Sequence, residues 1–293
     1  MTPVVAIVAP GAMGAGIGKR LGAHGVRVLT SLTGRSEATA ARAREARMIG
    51  ASDEEIAAAD FVLSILPPGD ALALAKRFAP VLAASNAKPV YVDCNAINPA
   101  TVEKVAAVIA PTGCAFVDAG IIGPPPSSIS PPQAGEVGVR VSGPRLYASG
   151  PAAAHFASLH QYGLDVRVLD GPLSAASALK MCYAGINKGT QALGAAMMLA
   201  AMRTGAAAAL RDELSFSQKE LLAQFQQQLP RMPAKAYRWI AEMQEIAGFV
   251  GDDPAAGALY EGAARFFERM AEDFAGDRTA AAALERFLSK EGH

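Results

Sequence analysis

Charge is scarce in this chain and favours neither sign. Twenty-seven basic and 27 acidic residues among 293 leave a formal net charge of zero, and only 18% of positions are charged. Nucleic acids and anionic membranes are held through a basic excess, so neither is expected as a partner. Cysteine is rare as well: Cys94, Cys114 and Cys182 are odd in number and far apart. That excludes a disulfide framework and zinc spacing, and it points to the cytoplasm. His24, His155, His160 and His293 form no ligand pattern, so no metal is expected. Long apolar runs are also missing. The most membrane-like stretch, "GTQALGAAMMLAAM" at 189–202, stops at Arg203, short of the roughly 20 residues a span requires. It reads as a buried helix. The start, "MTPVVAIVAPGAMG", lacks the basic beginning of a signal peptide.

What is present is alternation. "VVAIVA" (4–9), "VRVLT" (26–30), "FVLSIL" (61–66), "VYVDC" (90–94) and "AFVDAG" (115–120) are β-rich and separated by alanine-rich helical stretches. Such spacing predicts βαβ units and a Rossmann-type, doubly wound, mainly parallel sheet, the α/β class. "VGVRVSG" (137–143) and "DVRVL" (165–169) are expected to extend the sheet, with a broken helical stretch between them. Beyond Pro172 almost nothing reads as strand. The chain therefore divides near 170 into a dinucleotide-binding domain (1–170) and an all-α domain (171–293). The prolines of "GPPPSSISPPQAG" (123–135) suit a stiff loop at the sheet edge.

The first strand runs into "APGAMGAGIGKRLGAHG" (9–25). Gly11 would let backbone approach a pyrophosphate, Gly14 would let the helix pack on the strand, and the helix start at Ala12 and Met13 would offer free N–H groups. One departure is that Ala9, followed by Pro10, replaces the first glycine of the usual fingerprint, so the turn is expected to be built differently. After the second strand, "LTSLTGRSEAT" (29–39) has no acid before Glu37 but holds Arg35, Ser36 and Thr39. A guanidinium with hydroxyls suits a 2′-phosphate, which favours NADP over NAD; the plainer reading of Arg35 is a solvated loop residue. Leu66 and Pro67, in the loop after the 61–66 strand, should pass near the nicotinamide. Asn95 is placed to bond cofactor or substrate, and Asn98 to cap the helix that Pro99 begins.

"LKMCYAGINKG" (179–189) sets charge into an otherwise buried run. Residues seven apart on a helix lie about 20° from alignment, so Lys180, Tyr183, Ala184 and Asn187 share a stripe and Lys188 turns aside. A lysine in a partly dry cleft has its ammonium form disfavoured and can accept a proton; taken alone, such a lysine is more often a snorkelling side chain.

Strand–GxxG–helix, "LP", "DCNAINP", "DAGIIG" and "LKMCYAGINKG" follow in an order that resembles the β-hydroxyacid dehydrogenase and 6-phosphogluconate dehydrogenase superfamily over about the first 200 residues. The resemblance implies that Lys180 is the general acid/base of hydride transfer at a small hydroxyl or carbonyl compound. It also implies a second domain that closes the cleft and excludes water, often across a homodimer. Departures limit it. The glutamate that decarboxylating members carry seven residues after the lysine is Asn187 here, so no decarboxylation is expected. The usual amide pair after the lysine is Tyr183 and Ala184, and the D-x-P-V-S-G-G substrate loop is "DAGIIGPPP". Asn95 stands where many relatives have serine. Gly120, Ile121, Ile122, Gly123, Tyr183 and Asn187 become the candidate substrate cradle. "LPRMPAKAYRWIAEMQEIAGF" (229–249) resembles a poorly characterised helical domain of one branch. There Trp239 is read either as a core anchor, with Arg238 and Glu242 as a surface pair, or with Lys235, Tyr237, Arg238 and Glu242 as pocket lining. The leading expectation is an NADP-dependent dehydrogenase or reductase. Imine reduction and NADP sensing without turnover are the alternatives.

Overall fold

The computed structural model describes residues 2–126 and 143–289. The chain forms two compact units, residues 1–180 and 181–293.

The first unit follows the alternation of the sequence. Its elements are β1 (Val4–Val8), α1 (Ala12–Ala23), β2 (Arg27–Thr30), α2 (Glu37–Glu45), β3 (Ile49–Gly50), α3 (Asp53–Ala57), β4 (Phe61–Ser64), α4 (Ala71–Ala84), β5 (Val90–Asp93), α5 (Pro99–Ile109), β6 (Phe116–Ile122), β7 (Arg145–Ser149), α6 (Ala153–Ala157) and β8 (Asp165–Val168). The strands form one sheet in the order β3-β2-β1-β4-β5-β6-β7-β8. Pairing is parallel throughout except between β6 and β7. The expected mainly parallel α/β sheet therefore forms. β4 and β5 are buried at every position, as strands covered by helices on both faces must be. One face packs Val5, Ile7, Phe61, Leu63, Val92 and Val117 against α1 and α6, and the other packs Val62 and Tyr91 against Phe78 of α4 and Val102 of α5.

Two details differ from the sequence reading. Arg145–Ser149 is a strand where the sequence predicts a broken helical stretch; Leu146 and Ala148 alternate into the core while Arg145 faces out, a period-two signal that adjacent Gly and Pro obscure. The strand expected at 137–143 falls almost wholly outside the described residues, as does most of the loop at 123–135.

The second unit is helical. The long α7 (Ala175–Thr204) begins in the first unit, and α8 (Ala207–Ser217), α9 (Lys219–Gln228), α10 (Ala236–Phe249), α11 (Pro254–Ala275) and α12 (Thr279–Leu288) follow. Met243, Ile246, Ala263, Phe267 and Met270 bury one stripe each of α10 and α11. Among the described residues no helix is long and apolar enough to cross a membrane.

Candidate functional site

Strand order reverses between β1 and β4, and in open parallel sheets ligands bind outside the carboxyl ends of strands at such a point. The glycine turn lies there. Gly11 donates its N–H to the Ala9 carbonyl at 2.9 Å, closing a tight turn, and stands as the N-cap of α1 with no side chain capping it. The first N–H groups of α1 and its positive dipole end thus lack a side-chain cap. A Cβ on Gly11 would meet nothing within 4 Å among the described residues, which leave the space before the helix open. That opening, with uncapped amides behind it, fits a pyrophosphate. Gly14 does different work: a Cβ there would stand 2.4 Å from the Ala9 carbonyl oxygen, so only glycine lets α1 lie this close to the turn. Ala12 is exposed and Met13 half-buried beside it.

On the β2 side, Gly34 takes a left-handed conformation, φ 71°, and Arg35 projects from the turn, exposed. Ser36 caps α2, accepting from the Thr39 N–H at 3.3 Å, and its Oγ lies 3.1 Å from Thr39 Oγ1. Thr39 Oγ1 accepts from Arg42 Nη2 at 2.9 Å, while Arg42 Nε reaches the Pro10 carbonyl at 3.5 Å. A half-buried guanidinium is thereby led to the residue preceding Gly11. Arg42 was missed in the sequence. The signal was available, because Ser36, Thr39 and Arg42 recur every third residue and so share one helix face. The acid absent from the end of β2 is replaced by Ser31, buried, which accepts from Arg77 Nη2 at 3.1 Å while Arg77 also forks onto Asp53.

Across the sheet one register row turns polar. Val8 pairs with Ser64, Ser64 with Asp93, Asp93 with Asp118 and Asp118 with Ser149. All four polar members are buried. Asn95 latches this level together, its Nδ2 donating to Ser64 Oγ at 2.8 Å and its Oδ1 accepting from the Leu66 N–H at 2.6 Å. The amide read as a cofactor or substrate contact thus also shapes the Leu66–Pro67 loop. Asn98 caps α5 through the Thr101 N–H. Burial, aided by the neighbouring Asp118 charge, pushes the Asp93 carboxyl up to about 7 against the pull of hydrogen bonds from Asn95, and Asp93 Oδ2 meets no hydrogen-bond partner among the described residues. Burial likewise pushes Asp118 up to about 6, opposed by its bonds from Ser177.

Lys180 rises from this level. Two buried side chains hold the start of its helix: Ser149 Oγ accepts from the Ala176 N–H at 2.9 Å, and Asp118 accepts from the Ser177 N–H at 2.7 Å and the Ser177 hydroxyl at 2.6 Å. One turn on, Lys180 is half-buried. Gly120 on β6 makes the approach possible. A Cβ there would lie 2.7 Å from the Ala176 carbonyl oxygen and 3.1 Å from Lys180 Cβ. Of the candidate cradle, then, Gly120 seats the lysine helix. Ile121 belongs to the apolar core, a correction that follows from strand alternation, and Ile122 and Gly123 lie at the partly open end of β6, Gly123 with φ 123°.

The remaining candidates belong to the second unit. Tyr183 is about half exposed, and its carbonyl accepts from Asn187 Nδ2 at 3.1 Å. Glu242 is buried and pairs with Lys188, which corrects the expected surface position of Glu242 beside Arg238. Lys188 Nζ also stands 5.3 Å from the Trp239 ring centroid, and Trp239 meets Phe267 edge-on at 5.1 Å. Trp239, half-buried, thus packs α10 against Phe267 of α11, while Lys235, Tyr237 and Arg238 are exposed. Among the described residues no three His, Cys, Asp or Glu side chains gather as a metal site.

Comparison with known proteins agrees with this geometry. Residues 4–134 match the NAD binding domain of 6-phosphogluconate dehydrogenase, and residues 201–270 match a domain of unknown function. No curated protein matches the chain. Among solved structures, a conserved protein of unknown function, described as structurally similar to 3-hydroxyacid dehydrogenases, is 28% identical with a TM-score of 0.67, over 94% of this chain and 98% of that one. The Mycobacterium tuberculosis 3-hydroxyisobutyrate dehydrogenase, solved with L-serine, is 22% identical with a TM-score of 0.66, over 97% and 98%. A Myxococcus stipitatus imine reductase variant, solved with NAD+, is 18% identical with a TM-score of 0.52, over 99% and 100%. The fold is nucleotide-binding and hydroxyacid-dehydrogenase-like.

Proposed function

We propose that this chain, which carries the NAD-binding domain of the 6-phosphogluconate dehydrogenase family at residues 4–134 and a helical region behind it, is an NADP-dependent oxidoreductase acting on a small 3-hydroxy-acid-like compound. The observation that carries the reading is Lys180, half-buried and seated over Gly120 at the carboxyl edge of the sheet where the glycine turn opens. The bound dinucleotide supplies the hydride acceptor. In oxidation Lys180 Nζ takes the proton of the substrate hydroxyl as the carbon gives up its hydride, leaving a carbonyl; in reduction Nζ returns that proton to the new alkoxide oxygen.

Gly11 and the N–H groups at Ala12 and Met13 receive the pyrophosphate, and Gly14 keeps that turn against α1. Arg35, Ser36 and Arg42 receive the 2′-phosphate, which is the ground for NADP over NAD. Leu66 and Pro67, held by Asn95, flank the nicotinamide, and Ile122 and Gly123 border the substrate. Asn187, in the position of a glutamate in decarboxylating relatives, supports dehydrogenation without loss of carbon dioxide. Residues 171–293 serve as the substrate and dimerisation domain. A homodimer is supported by exposed Ile186, Leu193 and Leu259, which border a groove of about 500 Å³ in the helical unit.

The test is a screen of 3-hydroxyisobutyrate, L-serine, related hydroxy acids and cyclic imines, followed by NADPH absorbance. Turnover of a hydroxy acid with NADP is expected. Lys180→Met should then lower kcat by about 10²–10⁴-fold while NADPH affinity changes less than about threefold. Wild-type inactivity toward every hydroxy acid, or a variant that keeps turnover, refutes the reading; selective turnover of imines replaces it.

A further inference from the structure

We propose that Asp118 and Ser149 are positioning residues that set where Lys180 stands, by clamping the first turn of its helix to the sheet. The inference rests on the reading of Lys180 as the proton carrier. An α-helix begins with N–H groups that have no partner within it, and these are ordinarily met by the residue just before the helix. At α7 the partners come from strands distant in sequence. Ala176 donates to Ser149, 27 residues away, and Ser177 donates to Asp118, 59 residues away, through both its N–H and its hydroxyl. Ser149 Oγ in turn donates to the Leu173 carbonyl at 2.8 Å, tying down the segment that enters the helix.

Neither anchor is a surface convenience. Asp118 and Ser149 are both fully buried and occupy opposing positions on β6 and β7. A carboxylate kept from water is costly unless hydrogen-bonded, and the dipole at a helix start favours it. Asp118 has both compensations only because α7 begins where it does. Gly120, two residues further along the same strand, removes the side chain that would hold Ala176 and Lys180 away. Lys180 follows Ser177 by three residues, so less than one turn of stiff backbone connects the clamp to the lysine Cα. Misplacement of a reacting group by about 1 Å can cost about 100-fold in rate, so a clamp this close bears on catalysis without touching substrate.

The experiment compares wild-type protein with Asp118→Asn, Ser149→Ala and Lys180→Met, all full-length. Asp118→Asn keeps the size of the side chain but turns one of its two accepting oxygens into a donor group. Ser149→Ala removes the other anchor with little change in volume, so a folded variant is available even where Asp118→Asn does not fold. Hydrogen exchange of a peptide covering 174–180 should accelerate at least tenfold in both anchor variants. Reductive methylation of Lys180 by formaldehyde with cyanoborohydride as the hydride source, read by peptide mass, should quicken at least threefold. With the hydroxy acid found in the screen, kcat per folded molecule should fall about 10–100-fold while KM and NADPH Kd move less than about threefold. Unchanged exchange and methylation overturn the clamp. Loosened exchange with wild-type kcat, where Lys180→Met is inactive, overturns the positioning role and leaves the lysine assignment standing. An active Lys180→Met variant overturns the lysine assignment itself, and the positioning role with it.

Discussion

Replacing Gly120 by alanine separates a seat for the lysine helix from a wall of the substrate pocket. The added methyl would stand 2.7 Å from the Ala176 carbonyl oxygen, and ordinary contact begins near 3.4 Å, so the gap must open by about 0.7 Å, the difference between them. The obstacle is backbone and cannot rotate away. Its own N–H is bonded to Ser149, and Lys180 Cβ closes the other side at 3.1 Å. Either α7 lifts from β6 or β6 bends into the packed face beneath it. Overpacking of this kind costs about 1–3 kcal/mol, which lowers Tm by a few degrees, about 2–4 °C per kcal/mol in a chain of this size. If α7 lifts, Lys180 moves with it by a comparable fraction of an ångström, and kcat should fall about 10–100-fold. The glycine turn stands on β1, away from β6, so NADPH Kd should stay within about twofold. Calorimetry, nucleotide fluorescence and steady-state kinetics read the three quantities. A raised KM with unchanged kcat would refute the argument and return Gly120 to the substrate cradle.

Two other expectations test separate parts of the site. Arg42→Ala removes a charge-assisted contact of about 1.5–3 kcal/mol, so NADPH affinity should drop about 10–150-fold with NADH affinity nearly constant; equal losses for both nucleotides would place Arg42 at the pyrophosphate turn alone. Asp93 and Asp118, raised by burial to about 7 and about 6, hold more protons folded than unfolded between about pH 4 and pH 7. Stability should therefore fall as pH rises through that window, by up to about 1.4 kcal/mol per unit for each group, and level off above it. Asp93→Asn should flatten the part of the slope nearest neutrality, and denaturant titrations with the same slope in both proteins would contradict this.

How much of this was legible in the sequence follows from distance along the chain. The βαβ alternation, Gly14 as the packing glycine and Asn98 as a cap rest on neighbours within a few residues, and periodicity reports such neighbours directly. Arg42 lies just beyond, one further turn along the helix face that carries Ser36 and Thr39. The clamp on α7 lay out of reach, because a partner 59 residues away leaves no spacing to read. Asn95 as a latch and Glu242 as a buried carboxylate lay out of reach for a related reason. Both are polar residues beside helices, and from the sequence an amide that latches a loop, or a carboxylate buried against Lys188, looks the same as one that faces a ligand or solvent.

The polar register row explains why these buried groups occur where they do. β1, β4 and β5 end at Val8, Ser64 and Asp93, and β6 alone continues, four residues past Asp118 to Ile122. Below that level the strands are apolar on both faces, as a sheet covered by helices requires. At that level the β1–β4–β5 ladder ends while β6 and β7 go on pairing, and Ser64, Asp93, Asn95, Asp118 and Ser149 supply bonds beyond the ladder. They bond a loop on one side and a helix start on the other. A buried acid at the end of β5 and another at the same level inside β6 are an expensive way to finish a core. Asn98 caps α5 from its own N-cap position at little cost, and Ser174 stands at the corresponding place before α7. The costly solution is used where a loop and a helix must meet the carboxyl edge at fixed height, which is what the proposed function requires, with the hydride passing to the dinucleotide and the proton to Lys180.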